Sequence, residues 1–277
     1  MKILKLRLLP ILIINVFTHS SYGIDPDRNY ILTPDSIGWS YEQAVVVTED
    51  GAQINTWTYA ANPKTDKDTV LILAYPDAGN MSYFVYQAAT LANAGYTVVT
   101  FDYRGFGQST DFKIDPNYLY YTEFSNDLEV VAGKTAKKFK NKKLGIWCMS
   151  MGTTVTTRAY PNIKEDIDFI IGEGFVTDTS MIVERYKRLN KEIILPESSM
   201  IYSSAIKSIQ VPILIFSASD DTITTTSDAL ELKDLLINAC NVIEYSGKHL
   251  QGFQAFIDSK GFGGWYIENI NSFLSEI

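Results

Sequence analysis

Histidine is nearly absent from this chain of 277 residues, which holds only His19 and His249. Cysteine is as scarce, with Cys148 and Cys240 alone. Two imidazoles and two distant thiols cannot supply the ligand cluster that a zinc or iron site needs, so no such metal site is expected. A disulfide is not expected either. Cys148 falls at the C-terminal end of the fifth strand that the sequence predicts and Cys240 just before the last, which places them at opposite edges of a parallel sheet, beyond the reach of a bridge. There is no low-complexity tract and no internal repeat. Positive charge is in deficit, 24 basic against 32 acidic side chains for a net charge of −8. That excludes nucleic acid and anionic membrane as natural partners of the surface as a whole. The one local exception, Lys134, Lys137, Lys138, Lys140, Lys142 and Lys143, reads as the solvated end of a helix whose dipole it opposes.

What is present at the N-terminus is a basic start (Lys2, Lys5, Arg7), an apolar run from Leu8 to Phe17, and the small-residue stretch Ser20, Ser21, Gly23. This is the pattern of a secretory signal peptide over residues 1–23. The run is about half the roughly 20 residues that a spanning helix needs, so no stable membrane anchor is expected. Export to the periplasm or the cell exterior follows, with a mature domain at 24–277. Removal of the first 23 residues, which hold no acid, takes the formal charge from −8 to −11. It also leaves His249 as the sole imidazole, the side chain best suited to general-base chemistry near neutral pH.

The stretch Gly145-Ile146-Trp147-Cys148-Met149-Ser150-Met151-Gly152 sets one serine between an apolar strand and a run able to open a helix. That is the shape of a nucleophile elbow, a tight turn that exposes the serine hydroxyl above a sheet and aims a helix N-terminus at it. The first small position holds Cys148 instead of glycine, giving C-x-S-x-G. Downstream, the continuous apolar strand 211–216 ends in Ser217-Ala218-Ser219-Asp220-Asp221, where open α/β sheets place active residues. Asp220 is chosen as the acid, with Asp221 left to cap the following helix. His249 follows the strand-like run 241–245. Ser150, Asp220 and His249 therefore occur in the order Ser, Asp, His.

These residues, with Asp102-Tyr103-Arg104-Gly105-Phe106-Gly107-Gln108-Ser109, resemble an α/β-hydrolase, in particular the serine-hydrolase branch of Bem46-like proteins and serine aminopeptidases or monoacylglycerol-lipase-like enzymes. The resemblance covers roughly residues 40–277. In that family the D-Y-R-G-F-G-x-S turn is structural, and Asp102 and Arg104 are expected to form an ion pair. The chain departs from the family in the oxyanion loop, where Tyr75-Pro76-Asp77-Ala78-Gly79-Asn80 replaces the usual histidine-glycine pair with tyrosine and proline. Because such a hole is made of backbone N–H groups, the expected donors are Met151 with Asp77 or Ala78. Proline has no N–H to give. The Asp77 carboxylate would oppose an oxyanion and is expected to point away or to bind loop amides.

The fold expected is α/β: an eight-stranded, mostly parallel sheet with helices on both faces and a small helical cap at about 175–208, over an open, shallow pocket. Strands are predicted at 41–48 and 53–60, an antiparallel pair about the turn at 49–52, and at 68–74, 96–103, 143–149, 167–172, 211–216 and 241–245. The reaction expected is cofactor-free hydrolysis of a small-molecule acyl substrate, a carboxylic ester first, with peptide or thioester open. Tyr83, Phe84 and Tyr86 either line a pocket or pack in the core. An aminopeptidase would need an acid for the substrate amine, and Asp77, Glu173 and Glu184 are candidates. A non-catalytic hydrolase-fold binding protein is the alternative from another class, supported by the altered oxyanion loop and elbow. Oligomeric state is not legible.

Overall fold

Each apolar run read from the sequence becomes a strand of one sheet. The computed structural model describes residues 23–236 and 240–277; the expected signal segment, with His19, lies outside the described residues except for Gly23. The strands are β1 (Tyr41–Val47), β2 (Gln53–Tyr59), β3 (Thr69–Ala74), β4 (Thr97–Phe101), β5 (Lys143–Met149), β6 (Phe169–Glu173), β7 (Ile213–Ala218) and β8 (Cys240–Tyr245). Their order across the sheet is β1-β2-β4-β3-β5-β6-β7-β8. β2 runs antiparallel to both β1 and β4, and the rest are parallel. The central strands β3, β6 and β7 are buried at every residue. Each such aliphatic or aromatic side chain contributes roughly 1.5–3 kcal/mol, so a short apolar run suffices to bury a strand inside the sheet. β1 lies at the edge and is largely exposed, with Val45 and Val47 more than half accessible.

Between the strands run α1 (Val85–Asn93), α2 (Thr122–Lys138), α3 (Met151–Ile163), α4 (Thr179–Arg188), α5 (Ser199–Lys207) and α6 (Thr226–Leu235), and α7 (Gly264–Leu274) follows the last of them. Tyr266 of α7 stacks on Phe216 of β7 at 3.8 Å and edges onto Trp147 of β5. Helix α3 is rich in threonine, a poor helix former. Its hydroxyls bond back to preceding carbonyls, Thr154 Oγ1 to Met151 O at 2.5 Å and Thr156 Oγ1 to Gly152 O at 2.7 Å. α4 and α5 make up most of the segment 175–208. They are tied to the body by Arg185 on Asp228, and by Arg158 on Glu197, which also accepts from Tyr120 OH at 2.7 Å.

Several expectations change in detail. Asp102 and Arg104 do not pair. Arg104 lies between Asp127 (2.7 Å) and Asp50 (2.6 Å). Asp102 instead accepts from Tyr30 OH at 2.5 Å and Met81 N–H at 2.9 Å. The cause is the tight glycine turn, which wraps around the Asp102 carboxylate: a Cβ on Gly107, at φ 44°, would stand 2.0 Å from Oδ2. Cys148 and Cys240 are free and buried, near the C-terminal end of β5 and at the start of β8, three strands apart. The lysine cluster is not purely solvated, since Lys138 bonds Glu42 and Lys142 bonds Asp66. Phe84 is core, and Tyr83 gives its hydroxyl to Asp27 at 3.0 Å.

Candidate active site

Strand β5 ends at Met149, and Ser150 follows at φ 49°, ψ −117°. A residue with a Cβ enters this region at a cost of about 1–3 kcal/mol, and only where its surroundings enforce it. They do so here by hydrogen bonds on both sides. The Ser150 N–H donates to Glu173 O (2.9 Å), and the Ser150 carbonyl accepts from Thr153 N–H (2.8 Å) and Oγ1 (2.7 Å). Glycine is required at 152, because a Cβ there would stand 1.9 Å from Ala74 O. Cys148 is fully buried with Sγ 3.4 Å from Ile171 O. Burial pushes its thiol up to about 12, so it fills space and does not react.

His249 sits on the loop after β8. Its Nε2 is 3.0 Å from Ser150 Oγ, and its Nδ1 is 2.5 Å from Asp221 Oδ2. The acid on the imidazole is thus Asp221 and not Asp220, and the expectation is corrected by one residue. The turn after β7 decides between them. Asp221 Oδ1 accepts from the N–H groups of Ile223 (2.8 Å) and Thr224 (3.0 Å), and Oδ2 from Thr224 Oγ1 (2.6 Å). Those bonds turn the carboxyl inward. Asp220 is exposed; its N–H donates to Gly247 O at 3.0 Å and its carboxylate meets Ser219 Oγ. The signal that could have distinguished them is Asp221-Thr222-Ile223-Thr224 itself, an acid followed by the amides and hydroxyl of an Asx-type turn. The helix that Asp221 was left to cap is capped by Thr225 and Asp228.

Burial alone would raise the Asp221 carboxyl, but the bond and charge of His249 outweigh it and hold the group at about 2. Burial likewise lowers His249, and the Asp221 bond and charge, with Asp77 and Glu173 beyond, outweigh that and raise it. An ionised acid and an imidazole with raised basicity are the electrostatics of a general base at work on a hydroxyl.

Met151 opens α3, where the first amides have no acceptor within the helix. The Asp77-Ala78 amides lie on the loop leaving β3. This loop is tied to residues far upstream of the resemblance: Ala78–Gly79 pairs in parallel with Asp25–Pro26, Asp25 N–H donates to Asp77 O (2.9 Å) and Asp27 N–H to Gly79 O (2.8 Å). Asn80 Nδ2 donates to Asp27 O and Asn29 O. Sequence reasoning missed this strap because it has only two paired residues. Tyr75, in the place of the family's histidine, is core: it is fully buried, stacks on Phe84, packs at a tilt against Tyr103, and accepts from Tyr103 N–H. Burial raises the Asp77 carboxyl to about 6, opposed by its own amide and by the charge of His249. Of the other acids considered for a substrate amine, Glu184 is exposed on α4, and Glu173 is buried under the histidine loop.

Solved structures share this architecture. The Pyrococcus furiosus esterase Pf2001 superposes with a TM-score of 0.69 at 17% identity, over 91% of this chain and 99% of that one. An α/β serine hydrolase without lid from Xanthomonas campestris gives 0.58 at 15%, over 85% and 93%. These likenesses are of fold. In sequence, residues 78–193 match the family described as serine aminopeptidase, S33. The chain has the α/β-hydrolase fold. The chain is 37% identical over 83 residues to the Saccharomyces cerevisiae protein named "Uncharacterized membrane protein YNL320W", covering 30% of this chain and 28% of that protein. It is 31% identical over 107 residues to the Escherichia coli K12 protein named "Uncharacterized protein YfhR", covering 37% and 34%. The matches thus span about a third of those relatives' length. Among the described residues no helix is long and apolar enough to cross a membrane.

Proposed function

We propose that this α/β-hydrolase is a serine esterase acting through an acyl-enzyme. The observation that carries the reading is the unbroken chain from Ser150 Oγ through His249 to Asp221, at 3.0 and 2.5 Å, set on a strained elbow. Ser150 Oγ attacks the ester carbonyl carbon as His249 Nε2 takes its proton, and Asp221 fixes the tautomer and stabilises the imidazolium. The Met151 amide, with that of Asp77 or Ala78, receives the oxyanion, each donor being worth about 10²–10³-fold. Collapse expels the alcohol, which takes the proton from His249. Water, deprotonated by the same nitrogen, then releases the carboxylic acid and restores Ser150. The basic-apolar-small pattern of residues 1–23 supports export of the enzyme.

A peptide substrate is the second reading. What favours it is the family resemblance of residues 78–193 together with Asp77, the one acid of the three considered whose charge is felt at His249 and whose carboxyl is neither surface-exposed nor engaged beneath the loop. Reaction of the protein with a fluorophosphonate, beside Ser150→Ala and His249→Ala, tests the nucleophile. Hydrolysis of p-nitrophenyl esters of graded chain length against aminoacyl-p-nitroanilides then decides between ester and peptide. Absence of labelling in the folded wild-type protein would return the molecule to the class of non-catalytic binders.

A further inference from the structure

Glu173 closes β6 and is 1% exposed. Its main chain and its side chain reach different parts of the site. The carbonyl accepts the Ser150 N–H at 2.9 Å and so holds the elbow. The carboxyl passes under the histidine loop, where Oε1 accepts from Tyr245 OH at 2.7 Å and from Gly252 N–H at 2.7 Å. Tyr245 is the last residue of β8, and Gly252 lies three residues past His249. One oxygen therefore pins both ends of the segment that carries the base. Tyr245 OH extends the clamp by accepting from Gln251 N–H at 2.9 Å, and Gln251 Oε1 accepts from Lys248 N–H at 2.9 Å.

The loop needs such a clamp. Leu250, next to His249, has φ 60°, a left-handed conformation that a leucine does not keep unaided. Space at the clamp is filled by backbone: a Cβ on Gly252 would stand 2.9 Å from Glu173 Oε1 and 2.8 Å from the Tyr266 ring. The groups facing the Glu173 carboxyl are Tyr245, Gly252, the Tyr266 hydroxyl and, at longer range, His249.

We infer that Glu173 is a positioning residue that sets the distance between Ser150 and His249, bonding the elbow through its carbonyl and the histidine loop through its carboxyl. The inference rests on the serine-hydrolase reading. It assigns the carboxyl a task that a carboxamide oxygen can also perform, since Oε1 acts only as an acceptor. Glutamine at 173 should therefore keep the clamp, and leucine should lose it.

The test compares wild type, Glu173→Gln, Glu173→Leu, Tyr245→Phe and the Glu173→Leu/Tyr245→Phe double variant, by rate of fluorophosphonate labelling and by kcat and KM on a p-nitrophenyl ester. Folding of each is followed by circular dichroism and Tm. A loosened base is expected to lower kcat by about 10²-fold with KM little changed. Tyr245→Phe is expected to share part of that loss and to add nothing in the double variant, and Glu173→Gln to stay within about threefold of wild type. Folded Glu173→Leu and Tyr245→Phe proteins with wild-type kcat would overturn the inference, as would a Glu173→Gln protein as slow as Glu173→Leu. Should Glu173→Leu not fold, Tyr245→Phe alone decides by the same kcat comparison. A wild-type protein that is not labelled at all would instead overturn the serine-hydrolase reading.

Discussion

The imidazole of His249 rests on the backbone of Gly174, where a Cβ would stand 2.5 Å from Cε1 and 3.1 Å from Nδ1. Gly174 also has φ 61°, so both the space and the backbone conformation require glycine. Gly174→Ala should push the ring off the Ser150–Asp221 line. The expected result is a fall in kcat on the order of 10²-fold, with the far-UV circular dichroism spectrum unchanged. An alanine variant with wild-type ester turnover would mean that the ring does not need this floor.

The two adjacent acids give opposite expectations. Asp221→Asn should lower kcat by about 10⁴-fold, because an amide leaves the imidazole in the wrong tautomer. Asp220→Asn should leave kcat within about twofold, as expected of an exposed side chain outside the relay. Parallel steady-state kinetics of the two variants settle the assignment.

The pH profile follows from the raised basicity of His249. The imidazole must be neutral to accept the serine proton, so activity is lost as pH falls through its pKa. That pKa is raised above 6.5, so the acid limb of kcat/KM should lie above that of an ordinary histidine. Asp77 contributes to the rise. Asp77→Asn should move the acid limb to lower pH and, above the carboxyl's own value of about 6, should raise kcat, because no carboxylate then competes with the oxyanion for the loop amides. The gain is bounded by the roughly 10²-fold worth of one donor. An acid limb that stays in place would show that the Asp77 charge is not felt at the base.

Tyr30 fastens the N-terminal strap to the body: its hydroxyl donates to Asp102 Oδ2 at 2.5 Å and accepts from Asn55 Nδ2 at 2.6 Å. Tyr30→Phe removes a donor from a buried carboxylate, at a cost of about 1–3 kcal/mol. For a domain of this size, Tm should fall by roughly 2–4 °C per kcal/mol. Because the strap also pairs with Ala78–Gly79, ester turnover should fall with it at temperatures well below Tm. A variant with unchanged Tm would mean that Asp102 is satisfied without Tyr30.

The legible parts of this molecule are those with a local signature. β3 and β7 are apolar runs long enough to be buried on both faces, and both appear within two residues of their expected bounds. The hairpin of β1 and β2 was marked by Gly51, which has φ 87° at the turn. Ser150 stood out by the spacing of small residues, and His249 because no other histidine was left to choose. The parts that were not legible depend on partners far apart in the chain. Arg104 finds Asp50 and Asp127, 54 and 23 residues away, and Glu173 finds Tyr245 and Gly252, 72 and 79 residues away. No period or motif links such positions.

The sequence by itself determined the sheet, the elbow and the imidazole, because hydrophobic periodicity and turn chemistry act between neighbours. Only the tertiary structure decided which of Asp220 and Asp221 meets His249. Adjacent side chains leave a turn in different directions, and the amides of Ile223 and Thr224, once the loop is closed against β8, draw one of them inward. The same holds for Asp77 and Glu173. Their surroundings, His249 near Asp77 and the Tyr245 hydroxyl and Gly252 amide on Glu173, are assembled only by folding.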